Sequence, residues 1–319
     1  MKILVTGGAG FIGSHITKKL LGRGDEVICV DNFDGDFYSP KIKELNVKPF
    51  LKDPNYKLYR TDIRDFKELK EIFEKEKIQR ICHCAAKVGV VLSLKDPFLY
   101  EEVNTKGTIN FLELAKDYKI ENFVLFSTSS VYGMNKKIPF NEEDKADQII
   151  SPYGVTKKAT ELWTYSYHHA YGLNINIIRP FNIYGPSGRP DMIPFKFTKL
   201  IDEGKEITKY GDGSMKRDHT YIDDFVDGTV AAIDKIFGFE IFNIGNSRPI
   251  ELGYFIQVVE NILGKKALIK EVEIPPTEVP FTYADISKAQ KMLGFEPKTK
   301  IEEGMKKFIE WYQENKQNY

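Results

Sequence analysis

Residues 2–13 read KILVTGGAGFIG and residues 26–31 read EVICVD. In the first stretch an apolar, β-branched run breaks into a glycine cluster and resumes at Phe11 with helical period, so a buried strand over 2–6 turns directly into a helix over 11–22. The second stretch repeats the strand signal over 27–31. Strand, helix, strand at this spacing is a βαβ unit with parallel strands. Working outward, the pattern continues with a strand near 57–60 and a helix over 65–76 whose Phe66, Leu69, Ile72 and Phe73 share one face. A strand at 80–85, a helix around 98–117, a strand at 122–127 (NFVLFS), a long helix over 152–171 and a strand at 175–179 follow. The expectation is an α/β fold built on a doubly wound parallel sheet.

After Pro180 the alternation weakens. The segment PFNIYGPSGRPDMIP and the prolines Pro275, Pro276 and Pro280 separate the later elements, which predicts a second, smaller mixed α/β lobe. The division is placed at 1–179 and 180–319, with a later segment near 220–245 returning to the first domain through IFNIG at 241–245. A closing amphipathic helix carries Ile301, Met305, Phe308, Ile309 and Tyr312 on one stripe. No internal repeat or low-complexity tract is visible.

Composition narrows the function classes. The 319 residues hold 46 basic and 46 acidic side chains, so no cationic surplus exists to drive the counterion release on which nucleic-acid affinity rests. No run approaches the roughly 18 apolar residues of a membrane span, and the N-terminal apolar stretch is too short for a secretory signal. Three cysteines, Cys29, Cys82 and Cys84, are too few for a disulfide framework and read as reduced core thiols of a cytoplasmic protein.

Four constellations carry chemistry. Gly7 and Gly10 permit a tight turn and close backbone approach to a pyrophosphate, Gly13 permits close packing of helix on sheet, and the helix start supplies N–H donors. Asp31 closes the second strand 18 residues after Gly13, where a carboxylate accepts hydrogen bonds from an adenosine ribose and repels a 2′-phosphate; the cofactor is therefore read as NAD, the next basic residue being Lys41. Asp62, in TDIRD, is placed at the adenine edge. Tyr153 and Lys157 lie four apart on the helix that Ser151 and Pro152 begin, hence on one face. A lysine cation and an oxidised nicotinamide both favour the phenolate, so Tyr153 is expected to act as a base below its ordinary pKa of about 10, with Lys157 also able to hold a ribose hydroxyl. Ser127-Thr128-Ser129-Ser130 ends the fifth strand at the sheet's carboxyl edge, and Thr128 is placed to share the proton of a reacting hydroxyl with Tyr153. The cluster from Tyr210 to Asp218, with Lys216 and Arg217, offers cations beside a glycine turn and suits a diphosphate. Cys82-His83-Cys84 is not a metal site, because alternate strand residues face opposite ways. His168 and His169 lie too far along the helix to join the chemistry.

Through these motifs the chain resembles the extended short-chain dehydrogenase/reductases that act on nucleotide sugars. The resemblance runs nearly end to end. It rests on TGGAGFIG, Asp31-Asn32, Asp62-Ile63, His83-Cys84-Ala85-Ala86, Asn104 with Gly107-Thr108, STSSVYG at 127–133, Tyr153 with Lys157, RPFNIYGP at 179–186 and KRDHTYIDD at 216–224. SPYGVTKKATE and GPSGRPDMIPFKFTK look most like UDP-glucuronate 4-epimerases, with UDP-glucose 4-epimerases next.

The resemblance implies a Rossmann-type NAD domain, tightly bound and recycled NAD, and an isomerase that passes through a 4-keto sugar. It adds Phe11, Ile12, Asn32, Ile63, Ala85, Ala86, Ser127 and Pro180 to the cofactor contacts, and it implies a homodimer through two helices of the first lobe. For the UDP-sugar it implies Arg217 as diphosphate anchor with Asn182 and the loop at Lys209 and Tyr210 nearby, and Glu278 or Asp285 toward a ribose or the lobe interface. This chain departs from the family at Thr277-Glu278, where relatives often carry Gly-Asp. Related dehydratases usually carry Asp-Glu after the threonine, and related decarboxylases a glutamate at the position of Ser130; here Ser129 and Ser130 stand instead. The expected reaction is therefore UDP-glucuronate to UDP-galacturonate, with Thr128, Ser129, Ser130 and Arg189 toward the carboxylate. UDP-glucose epimerisation, UDP-glucuronate decarboxylation, 4,6-dehydration and a non-enzymatic NAD(H) sensor are the alternatives.

Overall fold

The protein is described by a computed structural model over residues 1–36, 38–274, 279 and 281–319. Glu278, named above as a sugar-side residue, lies outside the described residues, as do Pro275, Pro276, Thr277 and Pro280. A seven-stranded parallel sheet, counted among the described residues, runs in the order β11-β6-β5-β4-β1-β2-β3. Its strands are β1 (Lys2–Thr6), β2 (Glu26–Val30), β3 (Tyr56–Tyr59), β4 (Arg80–His83), β5 (Asn122–Phe126), β6 (Ile175–Pro180) and β11 (Phe239–Ile244). Alternation along each strand sorts side chains into two cores. Ile3 and Val5, Val27 and Cys29, Val124 and Phe126 face one, whereas Leu4, Ile28 and Val30, Phe123 and Leu125 face the other. A sheet covered on both faces needs near-continuous apolar strands, which is why these runs show no polar alternation.

Helices α1 (Phe11–Gly22), α2 (Pro40–Val47), α3 (Phe66–Glu76), α4 (Val90–Ser93), α5 (Pro97–Tyr100), α6 (Gly107–Asp117) and α7 (Pro152–Tyr171) connect the first six strands. Asp65 caps α3 by accepting from the Glu68 amide at 3.0 Å. Ser151 caps α7 through the Gly154 amide at 3.1 Å, Pro152 fills the first turn, and Gly172 ends the helix at φ +70°.

Two local expectations needed revision. Helix α2 was not foreseen, because it buries only Ile42 and Val47 and so shows little apolar period. The single helix expected around 98–117 is α5, a π-helical stretch over Glu101–Lys106, and α6 in series.

After β6 the chain forms paired strands β7 (Asn182–Tyr184) with β10 (His219–Tyr221), β8 (Glu206–Tyr210) with β13 (Leu268–Val272), and β9 (Lys216–Arg217) with β12 (Ile250–Glu251). Helices α8 (Ile193–Asp202), α10 (Leu252–Leu263), α11 (Ser287–Leu293) and α12 (Ile301–Asn315) cover them, with the stripe of α12 buried as its spacing requires. Helix α9 (Ile222–Asp234) packs on α1 and leads into β11, so the chain re-enters the first core after leaving it at Pro180. Asp218 fastens this re-entry by accepting from the amides of Asn246, Ser247 and Ala284 at 2.7, 3.0 and 3.0 Å.

Candidate active site

The loops that follow β1, β2 and β4 meet at the carboxyl edge of the sheet around a cleft of about 450 Å³. Gly7 sits at φ +65°, and a Cβ on Gly13 would lie 2.2 Å from the Gly7 carbonyl oxygen, so both positions need glycine for the turn and helix to close. The cleft is lined by Gly7, Gly10, Phe11, Ile12 and Gly13, by Asp31 and Asn32, by Asp62 and Ile63, and by Ala85 and Ala86. Asp31 Oδ1 accepts from the Phe33 amide at 2.8 Å and from Lys43 Nζ at 3.2 Å, and Oδ2 from the Ala9 amide at 3.2 Å. Two lone-pair directions per oxygen leave Oδ2 able to accept once more, as a ribose hydroxyl requires. Burial works against the charge of Asp62, yet Arg64 and Asn32 hold its carboxyl at about 2. The backbone cradle, the strand-end carboxylate and the adjoining amide and carboxylate at Asn32 and Asp62 fit a dinucleotide.

Lys43, Lys87, Tyr38 and Arg64 also line this cleft and were not among the expected contacts. Lys43 reaches Asp31 because Ser39 and Pro40 start α2, and that serine-proline pair was the legible signal. Of the residues expected on the sugar side, Arg189 alone lines this cleft among the described residues. Asn182 lies in β7, Tyr210 ends β8, and Arg217 lies in β9, where its guanidinium donates to the Lys216 carbonyl at 3.1 Å. All three follow β6 in the chain. Ser127 is spent on Glu161, to which its hydroxyl donates at 2.6 Å, and Pro180 ends β6.

Tyr153 and Thr128 are brought close enough for the Thr128 side chain to favour the phenolate. Burial raises the phenol above its ordinary range, while Thr128 and the nearby Arg189 cation pull it back. This differs from the sequence expectation in two respects. The free protein holds Tyr153 above its ordinary pKa, because desolvation outweighs the favourable contacts, and the cation acting on it is Arg189. Lys157 is buried, its ammonium lowered to about 8 by desolvation against the opposing pull of the Glu161 carboxylate. Its charge is felt by His83 and Cys84.

Behind Lys157, His83 bridges Thr6 (Nδ1 to Oγ1, 2.8 Å) and Thr108 (Nε2 to Oγ1, 3.1 Å). Thr108 already donates to the Asn104 carbonyl, so it accepts from Nε2–H, and Nδ1 accepts from Thr6. Burial drives the imidazole down to about 3, which fixes it neutral as a cross-brace and removes it from proton transfer. Ser129 and Ser130 open a short 3-10 turn after Thr128, with Thr128 Oγ1 donating to Ser130 Oγ at 3.2 Å. No carboxylate stands in that run. Arg189 grips Asp191 with Nε and an Nη at 3.0 and 2.6 Å on the loop that faces Tyr153.

Comparison with known proteins gives a consistent picture. The family described as GDP-mannose 4,6 dehydratase matches residues 4–308. A UDP-glucuronate 4-epimerase from Thermodesulfobacterium geofontis is 45% identical over 313 residues, covering 98% of this chain and 96% of that protein. The crystal structure of a UDP-glucuronic acid 4-epimerase from Bacillus cereus, in complex with UDP-glucuronic acid and NAD, superposes with a TM-score of 0.92 at 37% identity and covers 100% of both chains. A UDP-glucose 4-epimerase from Thermotoga maritima with UDP-glucose gives 0.90 at 32% identity over 99% of both.

The electrostatics around Tyr153 make a pH prediction. The Arg189 cation favours the phenolate, so Arg189→Ala raises the pKa of Tyr153, and the acidic limb of kcat for any reaction that needs this base moves to higher pH. A pH profile of kcat at saturating substrate checks it; an unmoved limb contradicts the assignment of Tyr153 as base or of Arg189 as its cation.

Proposed function

The chain belongs to the GDP-mannose 4,6-dehydratase family of extended short-chain dehydrogenase/reductases, and on that premise we propose that it inverts C4 of UDP-glucuronate to give UDP-galacturonate. It is an NAD-dependent nucleotide-sugar 4-epimerase, an isomerase. The observation that carries the choice of sugar is the run Thr128-Ser129-Ser130, three hydroxyls with no acid, whose first member and Arg189 both act on the Tyr153 phenol.

Bound NAD+ supplies the hydride acceptor and donor at C4 and is regenerated in each cycle. Tyr153 takes the proton of the C4 hydroxyl, with Thr128 bridging the two oxygens. Lys157, held by its buried surroundings, orients the ribose and keeps the proton path in place. The 4-keto sugar then turns about its diphosphate link, which Arg217, Asn182 and Tyr210 anchor, and Tyr153 returns the proton after the opposite face has been reduced. A 4-keto uronate is a β-keto acid that loses carbon dioxide readily. Hydroxyl donors and a guanidinium hold its carboxylate in the charged form, which is less favoured as the C–C bond breaks, and so oppose that loss. Elimination would need an acid next to Thr128, where this chain has serine. In this reading residues 1–179 with α9 and β11 serve the cofactor, and the remaining residues after 180 serve the nucleotide sugar.

We also infer a homodimer in the cytoplasm. Phe98 on α5 is 83% exposed and Leu162 on α7 is 63% exposed, with Val91, Leu94, Val155 and Trp163 also open on α4, the turn after it and α7, which pack on one another. A contiguous apolar face of this kind is what paired copies bury. The cysteines are thiols, as a reducing compartment keeps them. No helix among the described residues is long and apolar enough to cross a membrane.

Incubation with UDP-glucuronate, without added NAD+, is expected to yield an equal-mass UDP-galacturonate peak on anion-exchange chromatography, lost in Tyr153→Phe. Loss of carbon dioxide, or turnover of UDP-glucose alone, would overturn the choice of reaction or of sugar. Sedimentation velocity is expected to show a dimer that Phe98→Glu converts to monomer; a wild-type monomer would remove the dimer from the account.

A further inference from the structure

Strands β4, β1 and β2 are neighbours in the sheet, so the loops after β4 and β2 rise on either side of the glycine turn that follows β1. Lys87 stands on the first of these loops, Asp34 and Asp36 on the second, and all three line the cleft. The Lys87 ammonium forms ion pairs with both aspartates across it. The two jaws differ in footing. Lys87 is nearly buried, and its backbone is pinned on both sides by Asn104, whose Oδ1 accepts the Lys87 amide at 2.7 Å and whose Nδ2 donates to the Lys87 carbonyl at 3.0 Å. Asn104 in turn donates to Thr156 of α7 at 3.0 Å, and Thr156 to the Tyr153 carbonyl at 2.9 Å. The aspartate jaw is a loop held by short-range turns, Asn32 capping the Asp34 amide at 3.0 Å and Asp34 the Asp36 amide at 2.8 Å, and the Asp36 side chain is 63% exposed. Opening the cleft on this side therefore requires a loop swing that breaks one ion-pair cluster, while the lysine stays fixed to the frame that carries the catalytic helix.

We propose that Lys87, Asp34 and Asp36 form a clasp that closes over the bound dinucleotide and sets the rate at which NAD(H) leaves. The inference rests on the cofactor reading above and adds to it the residues that retain the cofactor between turnovers. An epimerase that must return a hydride from the same nicotinamide gains from slow release, since a cofactor lost in mid-cycle strands a keto sugar. The role is one of retention: the three side chains gate the exit.

The test uses the full-length protein loaded with NADH, mixed with excess NAD+, and follows the loss of protein-bound nicotinamide fluorescence. Lys87→Met and the double change Asp34→Asn with Asp36→Asn are each expected to speed release by about tenfold, the effect of a pair worth about 1.4 kcal/mol. The variant carrying all three changes is expected to release no faster than either, because each route removes the same interaction. Salt at about 1 M, where the screening length falls to about 3 Å, is expected to speed release from the wild type and to leave the variants unchanged. Faster release in Lys87→Met with an unaltered aspartate double variant would overturn the clasp and leave Lys87 as a direct phosphate contact. Unaltered release in both would also overturn it, with the cofactor reading intact. A wild-type protein that takes up no NADH would overturn the cofactor reading and the clasp together.

Discussion

The site depends on a buried carboxylate in the middle of α7. Glu161 receives Nε and an Nη of Arg179 at 2.8 Å each, and the Ser127 hydroxyl at 2.6 Å, while Lys158 reaches its second oxygen at 2.9 Å. Arg179 and Glu161 are 1% and 2% exposed. Two desolvated charges are tolerable only when hydrogen bonds occupy their remaining directions, and the Tyr132 hydroxyl supplies one more by accepting from Arg179 at 3.0 Å. The arrangement fixes three elements in one register: α7, the end of β6, and the exit of β5. Lys157 is one helical turn before Glu161 and Tyr153 one turn before that, while Thr128 follows Ser127 directly. A bidentate pair thus sets where the phenol, the ammonium and the threonine hydroxyl stand relative to one another, which is the geometric requirement of a proton relay.

Around this frame the sheet assigns tasks by position. Its parallel strands end at one edge, so the loops after β1, β2 and β4 converge on the cleft and the loop after β5 carries the hydroxyl run. Asn104 joins the two halves, bonded both to Lys87 at the cleft and to Thr156 on α7. His83 is a second brace, neutral and shared between β1 and α6 through two threonines. Charge enters sparingly. Burial lowers the ammonium of Lys157 toward neutral pH but raises the phenol of Tyr153 away from it, so the phenol reaches neutral-pH chemistry only when a cation arrives. The nicotinamide ring, positive when oxidised, is such a cation.

Much of this was legible in the chain. The run KILVTGGAGFIG dictates strand, turn and helix because only glycine tolerates the Gly7 conformation and the Gly13 approach. Ser151-Pro152 announces α7 and with it the shared face of Tyr153 and Lys157. What stayed hidden is tertiary. Helix α2 buries too little to show a period, and although Ser39-Pro40 marks its start, nothing in the linear pattern turns Lys43 toward Asp31. Arg189 approaches Tyr153 from the loop between β7 and α8, and no spacing rule links residues 36 apart in different elements. The pairing of Lys87 with Asp34 and Asp36 depends on β4 and β2 flanking β1, a fact of strand order that linear reading does not give.

In the proposed reaction this edge of the sheet moves a hydride off C4 of a sugar and sets it back on the other face, with a tyrosine handling the proton. Deuterium at C4 of UDP-glucuronate tests it most directly. Turnover by the purified protein in ordinary water is expected to give UDP-galacturonate that retains the label at C4, because the hydride travels only between sugar and cofactor within one closed site. Product with hydrogen at C4 would mean exchange with solvent, and would contradict both the hydride path and the retention of the cofactor through the cycle.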